Sequence, residues 1–146
     1  MAAMTMDALT DDILCPVPDI APMSQADLDA AIKSVRLAVG LPQGARVVAA
    51  ASTNDKVEFA LELGADNGLI YPSGPMDKAA QKELSGEFKL STGRDGADVV
   101  FDGVGGDYAE PALRAMDWNG RYLVVGFPAG IPSLPLNLTL LKSVSV

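Results

Sequence analysis

Apolar residues recur along this chain in two patterns. The first is continuous. Arg46-Val-Val-Ala-Ala-Ala51, Asp98-Val-Val-Phe-Asp102 and Tyr122-Leu-Val-Val-Gly-Phe127 each hold a run with almost no polar interruption. Such runs predict strands covered on both faces of a parallel sheet. A shorter run, Gly68-Leu-Ile-Tyr71, is closed by Pro72 and predicts a further strand. The second pattern is helical. Leu28, Ile32, Val35 and Val39 lie at spacings of four, three and four, which makes one apolar stripe. Ser24-Gln-Ala-Asp27 precedes it as a capping-box-like start, with Asp where Glu or Gln is usual, and Gly40, Pro42 and Gly44 end it. A second helix runs from Lys56 to Leu63, capped by Ser52 to Asp55 and closed by Gly64. A third carries Met76, Ala80, Leu84 and Phe88 on one stripe. A fourth, from Asp107 to Met116, carries Tyr108, Ala112 and Met116, and Asn119-Gly120 reads as the turn after it. Strands separated by helices predict repeated βα units, hence an α/β fold with a parallel sheet.

The two ends of the chain are patterned differently. In residues 1–23, Asp7, Asp11 and Asp12 surround Ile13-Leu14-Cys15, and Pro16, Pro18 and Pro22 follow. The prolines argue against a helix and against a central strand, so this part is expected to be an extended arm, at best an edge strand. Residues 24–146 are expected to form the folded unit. From Ser133 onward Leu134, Leu136, Leu138, Leu140 and Leu141 make the chain apolar again.

Composition narrows the chemistry. At 146 residues, with 49% apolar, the chain suits one domain with a real core. The net charge of −8 argues against nucleic acid and anionic membrane surfaces. No apolar run approaches a membrane span, and Met1 to Asp7 lacks the basic and apolar regions of a secretory signal. Cytoplasmic location is the default expectation. There is no histidine, and Cys15 is the one cysteine. That leaves no disulfide within the chain, no Ser-His-Asp triad and no ordinary zinc site. Cys15 reads as a packed small hydrophobe, since no base accompanies it.

The candidate chemistry lies after the strand at Asp98. Gly103, Gly105 and Gly106 follow it and let the backbone turn sharply and approach a ligand. In open α/β sheets, ligands bind just past the carboxyl ends of strands. The competing reading is that these glycines only make tight turns.

Several ordered segments together resemble one family. They are Gly44-Ala-Arg-Val-Val-Ala-Ala-Ala-Ser52, Lys56, Glu62-Leu-Gly-Ala-Asp66, Asp98-Val-Val-Phe-Asp-Gly-Val-Gly-Gly106, Gly120-Arg-Tyr-Leu-Val-Val-Gly-Phe127, Leu134-Pro-Leu-Asn-Leu138 and Leu141-Lys142. The set is similar to the zinc-free quinone oxidoreductase (zeta-crystallin-like) branch of the medium-chain dehydrogenase/reductases. The resemblance implies a Rossmann-like nucleotide-binding domain for NADPH. It implies Ser52 and Lys56 at the adenosine 2′-phosphate and Tyr71 at the adenine end. It implies Gly103, Val104 and Gly105 along the nicotinamide ribose, with Gly126 and Phe127 approaching the nicotinamide through their backbone. Asp102 is counted with these cofactor-binding residues, against the alternative of a solvated strand end. The chemistry agrees: Ser52 offers a hydroxyl, and Lys56 a point charge where NADP carries an extra phosphate. A NAD site would favour an acidic residue at the end of that strand, whereas Asp55 reads as a helix N-cap. Lys56 also reads as an ordinary surface lysine. Tyr108, Met116 and Trp118 read as core or cover.

The chain departs from the family pattern in three places. Asp19-Ile-Ala-Pro-Met-Ser24 precedes the helix from Gln25, where a strand and a G-x-G-x-x-G turn would cradle the pyrophosphate. Of the family's long N-terminal substrate lobe, only Cys15 to Asp19 and Met23-Ser24 are similar, as in a truncated member. The chain reaches Val146 inside a segment that in the family pairs across a dimer. A homo-oligomer through the edge near Val144 is therefore expected. Without a first strand, the strands at Arg46 and Asp98 must pair directly or be bridged, by the disfavoured Ile13-Leu14-Cys15 arm or by a partner chain. Three functions are compatible with this. One is NADPH-dependent hydride transfer to a quinone or activated alkene, with no catalytic residue or metal assigned. Another is a non-catalytic nucleotide-binding or oligomerisation remnant. The third is a binding protein of another class on the same scaffold.

Overall fold

The computed structural model describes residues 45–146 and the backbone of the strand Asp12–Pro16. The helix expected from Ser24 to Val39 lies outside the described residues. Five strands form one sheet: β1 (Asp12–Pro16), β2 (Arg46–Ala51), β3 (Asn67–Ile70), β4 (Ala97–Asp102) and β5 (Met116–Val124), in the order β3-β2-β1-β4-β5. Every pairing is parallel. The helices are α1 (Asn54–Glu62), α2 (Lys78–Thr92), α3 (Ala109–Ala115) and α4 (Leu136–Lys142), with a 3₁₀ turn at Gly106–Tyr108.

The uninterrupted apolar runs are explained by burial on two faces. In β2, Val47 and Ala49 pack with Ala60 of α1 and with Val99. Val48 and Ala50 point the other way, into a larger cluster with Leu84 and Phe88 of α2, Leu113 of α3, and Val100. Successive residues of a strand face opposite sides. A strand between two helical layers therefore needs apolar residues at every position.

The arm is corrected by the structure. Asp12–Pro16 is not an edge strand but the central one, pairing with β2 from Asp12↔Arg46 to Pro16↔Ala50 and with β4 at Ile13↔Val99 and Leu14↔Val100. Neither direct pairing of β2 with β4 nor a partner chain is needed. Pro16 is the last residue of the strand, so its missing N–H falls at the end of the ladder and not in its middle.

Helix boundaries follow local chemistry. Asp77 caps α2, its carboxylate accepting from the N–H of Ala80 at 2.8 Å, and Gly93 ends the helix at φ 102°. The cap of α1 is Thr53 and makes no side-chain bond. Asp55 lies in the first turn instead of capping it, where its charge meets the positive end of the helix.

The last strand also differs from expectation. α3 stops at Ala115, and β5 already begins at Met116. Ala97 pairs with Met116 and Val99 with Arg121, so Asp117 to Gly120 bulge out of register. Asn119-Gly120 is the tip of that bulge, with Asn119 at φ 64°. Tyr122 is buried, but Val124, Val125 and Phe127 are exposed. β5 borders the sheet and is not covered on both faces there. Beyond α4 the chain returns along its outer edge: Tyr122 N–H donates to Ser145 at 2.7 Å and Ser145 N–H to Gly120 at 3.0 Å. Lys142 pins α4 in place, donating to the carbonyls of Arg114 at 2.6 Å and Met116 at 2.5 Å. Burial lowers the Lys142 pKa from its ordinary value, with Lys89 adding repulsion.

Candidate functional site

β2, β3, β4 and β5 all present their carboxyl ends to one rim, and each hands over there to a turn. Asp102, the last residue of β4, organises two of these turns. Its Oδ1 accepts from the N–H groups of Val104 at 2.9 Å and Gly105 at 2.8 Å. Its carbonyl accepts from the N–H groups of Val125 at 2.8 Å and Gly126 at 3.2 Å. Its Oδ2 accepts from the Tyr122 hydroxyl at 2.5 Å. The residue is 1% exposed. Asp102 is thus not a solvated strand end. It is the hub that holds the segments after β4 and β5 against each other. Burial, and then the neighbouring Asp102 carboxylate, push the Tyr122 pKa far above its ordinary value.

The glycines divide into two kinds. Gly105 and Gly106 have φ of +69° and +58°, and a Cβ on them would meet the Gly130 carbonyl at 2.7 Å and the Ala129 carbonyl at 2.5 Å. They are glycine because the loop after β5 lies on them, tied by Gly106 N–H to Gly130 at 2.7 Å and Ala129 N–H to Val104 at 3.0 Å. Phe127 belongs to the same contact, its Cβ 2.7 Å from where a Gly105 side chain would begin. Gly126 is different. It has no left-handed φ, and its nearest would-be neighbour is the Gly103 carbonyl at 3.5 Å, an ordinary van der Waals contact. Nothing in the fold itself requires glycine at 126.

A cleft of about 460 Å³ opens beside these turns. Ser52 at the end of β2, Tyr71 at the end of β3 and Val104 after β4 all line it. Lys56 lies one turn into α1 and donates to the Ser52 hydroxyl at 3.4 Å. Ser52, Lys56, Tyr71 and Val104 are therefore brought to one place. Gly103 and Gly126 adjoin each other at the neighbouring turn. Tyr71 is 3% exposed, and its ring stacks at a tilt on Tyr108, with centroids 4.8 Å apart. The Tyr108 hydroxyl donates to the carbonyl of Pro72 at 3.0 Å, which fixes the turn after β3. Tyr108 is cover, as expected. Ser73, Gly74 and Asp107 complete the wall, and the Asp107 carboxylate accepts from Met76 N–H at 3.1 Å. Sequence reasoning missed this wall. Its signal was Pro72-Ser-Gly-Pro75, turn residues directly after a strand. A second cleft, about 480 Å³, shares Ser52, Tyr71 and Ser73 and continues to Ile70, Leu84, Glu83 and Glu87.

Among the described residues, no group of three His, Cys, Asp or Glu is placed to hold a metal ion. No helix of the described residues is long and apolar enough to cross a membrane.

A parallel sheet with helices on both faces and a cleft along its carboxyl rim defines a Rossmann-like fold. Residues 34–146 match the profile of the family described as zinc-binding dehydrogenase. Over 102 residues the chain is 39% identical to quinone oxidoreductase-like protein 2 of Rattus norvegicus, a match covering 69% of this chain and 27% of that protein. Among solved structures it resembles a mycobacterial quinone oxidoreductase, with TM-score 0.66 and 23% identity, covering 92% of this chain and 37% of the other. It also resembles the Escherichia coli quinone oxidoreductase complexed with NADPH, with TM-score 0.59 and 21% identity, covering 94% and 37%. The chain belongs to the zinc-binding dehydrogenase family of the medium-chain dehydrogenase/reductases, in its quinone oxidoreductase-like branch. It spans about a quarter of the length of the curated relatives it matches.

Proposed function

We propose that this chain is the nucleotide-binding part of an NADPH-dependent oxidoreductase of the quinone oxidoreductase type, zinc-free and cytoplasmic. The observation that carries the reading is that Ser52 and Tyr71 line the first cleft while Lys56 donates to the Ser52 hydroxyl beside it. The residues fit the adenosine end of NADPH. A hydroxyl stands just past the end of β2 with the ammonium group of Lys56 beside it, where a NAD site would favour a carboxylate for the ribose hydroxyls. Gly126 supports the nicotinamide end, since its missing side chain leaves space that the protein's own packing does not use. When bound, the nicotinamide supplies a hydride to a quinone or activated alkene. The protein binds and orients: Ser52 and Lys56 hold the 2′-phosphate, Tyr71 packs at the adenine end, and the backbone at Gly103, Val104 and Gly126 shapes the nicotinamide end. Asp102 positions that backbone without touching the cofactor.

The paired variants Ser52→Ala and Lys56→Met test this. Charge-assisted hydrogen bonds contribute about 1.5–3 kcal/mol, so each variant is expected to weaken NADPH roughly tenfold or more and to leave NADH unchanged. Equal losses for both cofactors would remove the 2′-phosphate from this site.

A second reading, a non-catalytic nucleotide-binding or oligomerisation module, is favoured by one observation. Leu136, Leu140 and Leu141 of α4 are 77%, 82% and 71% exposed. An apolar face of this kind favours association, and the chain is proposed to form a homo-oligomer through it. Val144 is buried in the chain's own core, so the surface offered is α4 with Val146, not Val144.

A further inference from the structure

α2 brings two carboxylates toward the proposed phosphate site. Glu83 and Glu87 are one helical turn apart on the same face. Both line the second cleft, together with Ser52 and Tyr71. Charges that face one another across a shared cleft interact over about a Debye length, roughly 8 Å at physiological ionic strength. The carboxylates therefore act on any charge bound at the Ser52 hydroxyl. Lys56, 3.4 Å from that hydroxyl, sets one positive charge against these two negative ones.

The two nicotinamide cofactors respond differently to this arrangement. A 2′-phosphate brings nearly two negative charges to Ser52 and Lys56. The 2′-hydroxyl of NADH brings none. Repulsion from α2 acts on the first and leaves the second untouched. From this geometry we propose that Glu83 and Glu87 are specificity-determining residues that oppose the 2′-phosphate and limit the preference for NADPH set by Ser52 and Lys56. The inference deepens the NADPH reading and rests on it. It is distinct from an acidic residue at the end of β2, because these carboxylates belong to α2 and share a cleft with Ser52.

The double variant Glu83→Gln/Glu87→Gln tests it. Glu83 is exposed and Glu87 partly exposed, so circular dichroism and the melting curve are expected to match the parent. Calorimetric titration of parent and variant is done with NADPH and with NADH. The NADPH Kd is expected to fall about three- to tenfold, with the NADH Kd constant within about twofold. The gain is expected to shrink as NaCl is raised, since it is electrostatic. An unchanged ratio of the two affinities, or an equal change in both, overturns the role of Glu83 and Glu87 and leaves the NADPH reading standing. Failure of the parent to bind either cofactor overturns the NADPH reading, and this inference with it.

Discussion

Tyr122 donates a 2.5 Å hydrogen bond to Asp102 from the adjacent strand, and both residues are about 1% exposed. Asp102 also holds four backbone N–H groups, two through its side chain and two through its carbonyl. The buried carboxylate therefore ties the turn after β4 to Tyr122 of β5, and the carbonyl of the same residue holds the turn after β5. Removing the hydroxyl leaves that carboxylate one donor short in a dry site, which costs about 1.5–3 kcal/mol. Tyr122→Phe is expected to lower unfolding stability by that amount in urea titration, with a native-like spectrum. A loss under about 0.5 kcal/mol would mean that the bond does not hold the turns.

The same bond has a pH signature. The folded pKa of Tyr122 lies above its unfolded value of 10.0, so the folded state retains this proton more tightly. The contribution is full below about pH 10 and is lost as pH rises beyond it. The parent is expected to lose stability above pH 10 more steeply than Tyr122→Phe. Phenolate absorbance should show Tyr122 ionising only on unfolding. Parallel stability curves for parent and variant would contradict this.

Gly105 and Gly126 separate folding from binding. Gly105→Ala places a Cβ 2.7 Å from the Gly130 carbonyl at a φ of +69°, and is expected to destabilise by about 1–3 kcal/mol. Gly126→Ala meets nothing closer than 3.5 Å, so the melting temperature should hold. It should instead weaken cofactor binding, because its methyl group occupies the proposed nicotinamide approach. A stable Gly126→Ala protein with parental NADPH affinity would remove Gly126 from the site.

The exposed leucines of α4 test association. Leu140 is 82% exposed, so Leu140→Glu carries little folding cost. Sedimentation of the parent is expected to show a homo-oligomer, and that of the variant a monomer. A parent that stays monomeric at all concentrations would end the proposal.

The sheet and most helices were legible in the sequence because double-sided burial leaves a mark: Val47 to Ala51 and Val99 to Val100 can be apolar throughout only between two layers. β1 was not legible. Its apolar core is three residues, Ile13-Leu14-Cys15, and the proline after it pointed to an edge. Its central place is set by pairing on both sides, which is a tertiary fact. The bulge at Asn119-Gly120 read as a turn because a left-handed residue beside a glycine serves both purposes. Ser52, Lys56 and Tyr71 come from three separate elements, and the sequence named them together only through the family resemblance; their proximity is a tertiary fact. The roles of Asp102 and of Gly105 with Gly106 were not legible, because their partners lie in the turn after β5 and no local pattern links them. Glu83 and Glu87 gave no signal beyond helical surface charge, since only the packing of α2 beside β3 brings them near Ser52.

Ser52, Lys56 and Tyr71 are proposed to form together a cofactor site that reads the 2′-phosphate. Calorimetric titration of the whole chain with NADPH, and with NADH as the control, tests it most directly, with Trp118 fluorescence as a second readout. Saturable binding that favours NADPH is expected. No binding of either cofactor at millimolar concentration would contradict it and leave the oligomerisation module as the surviving reading.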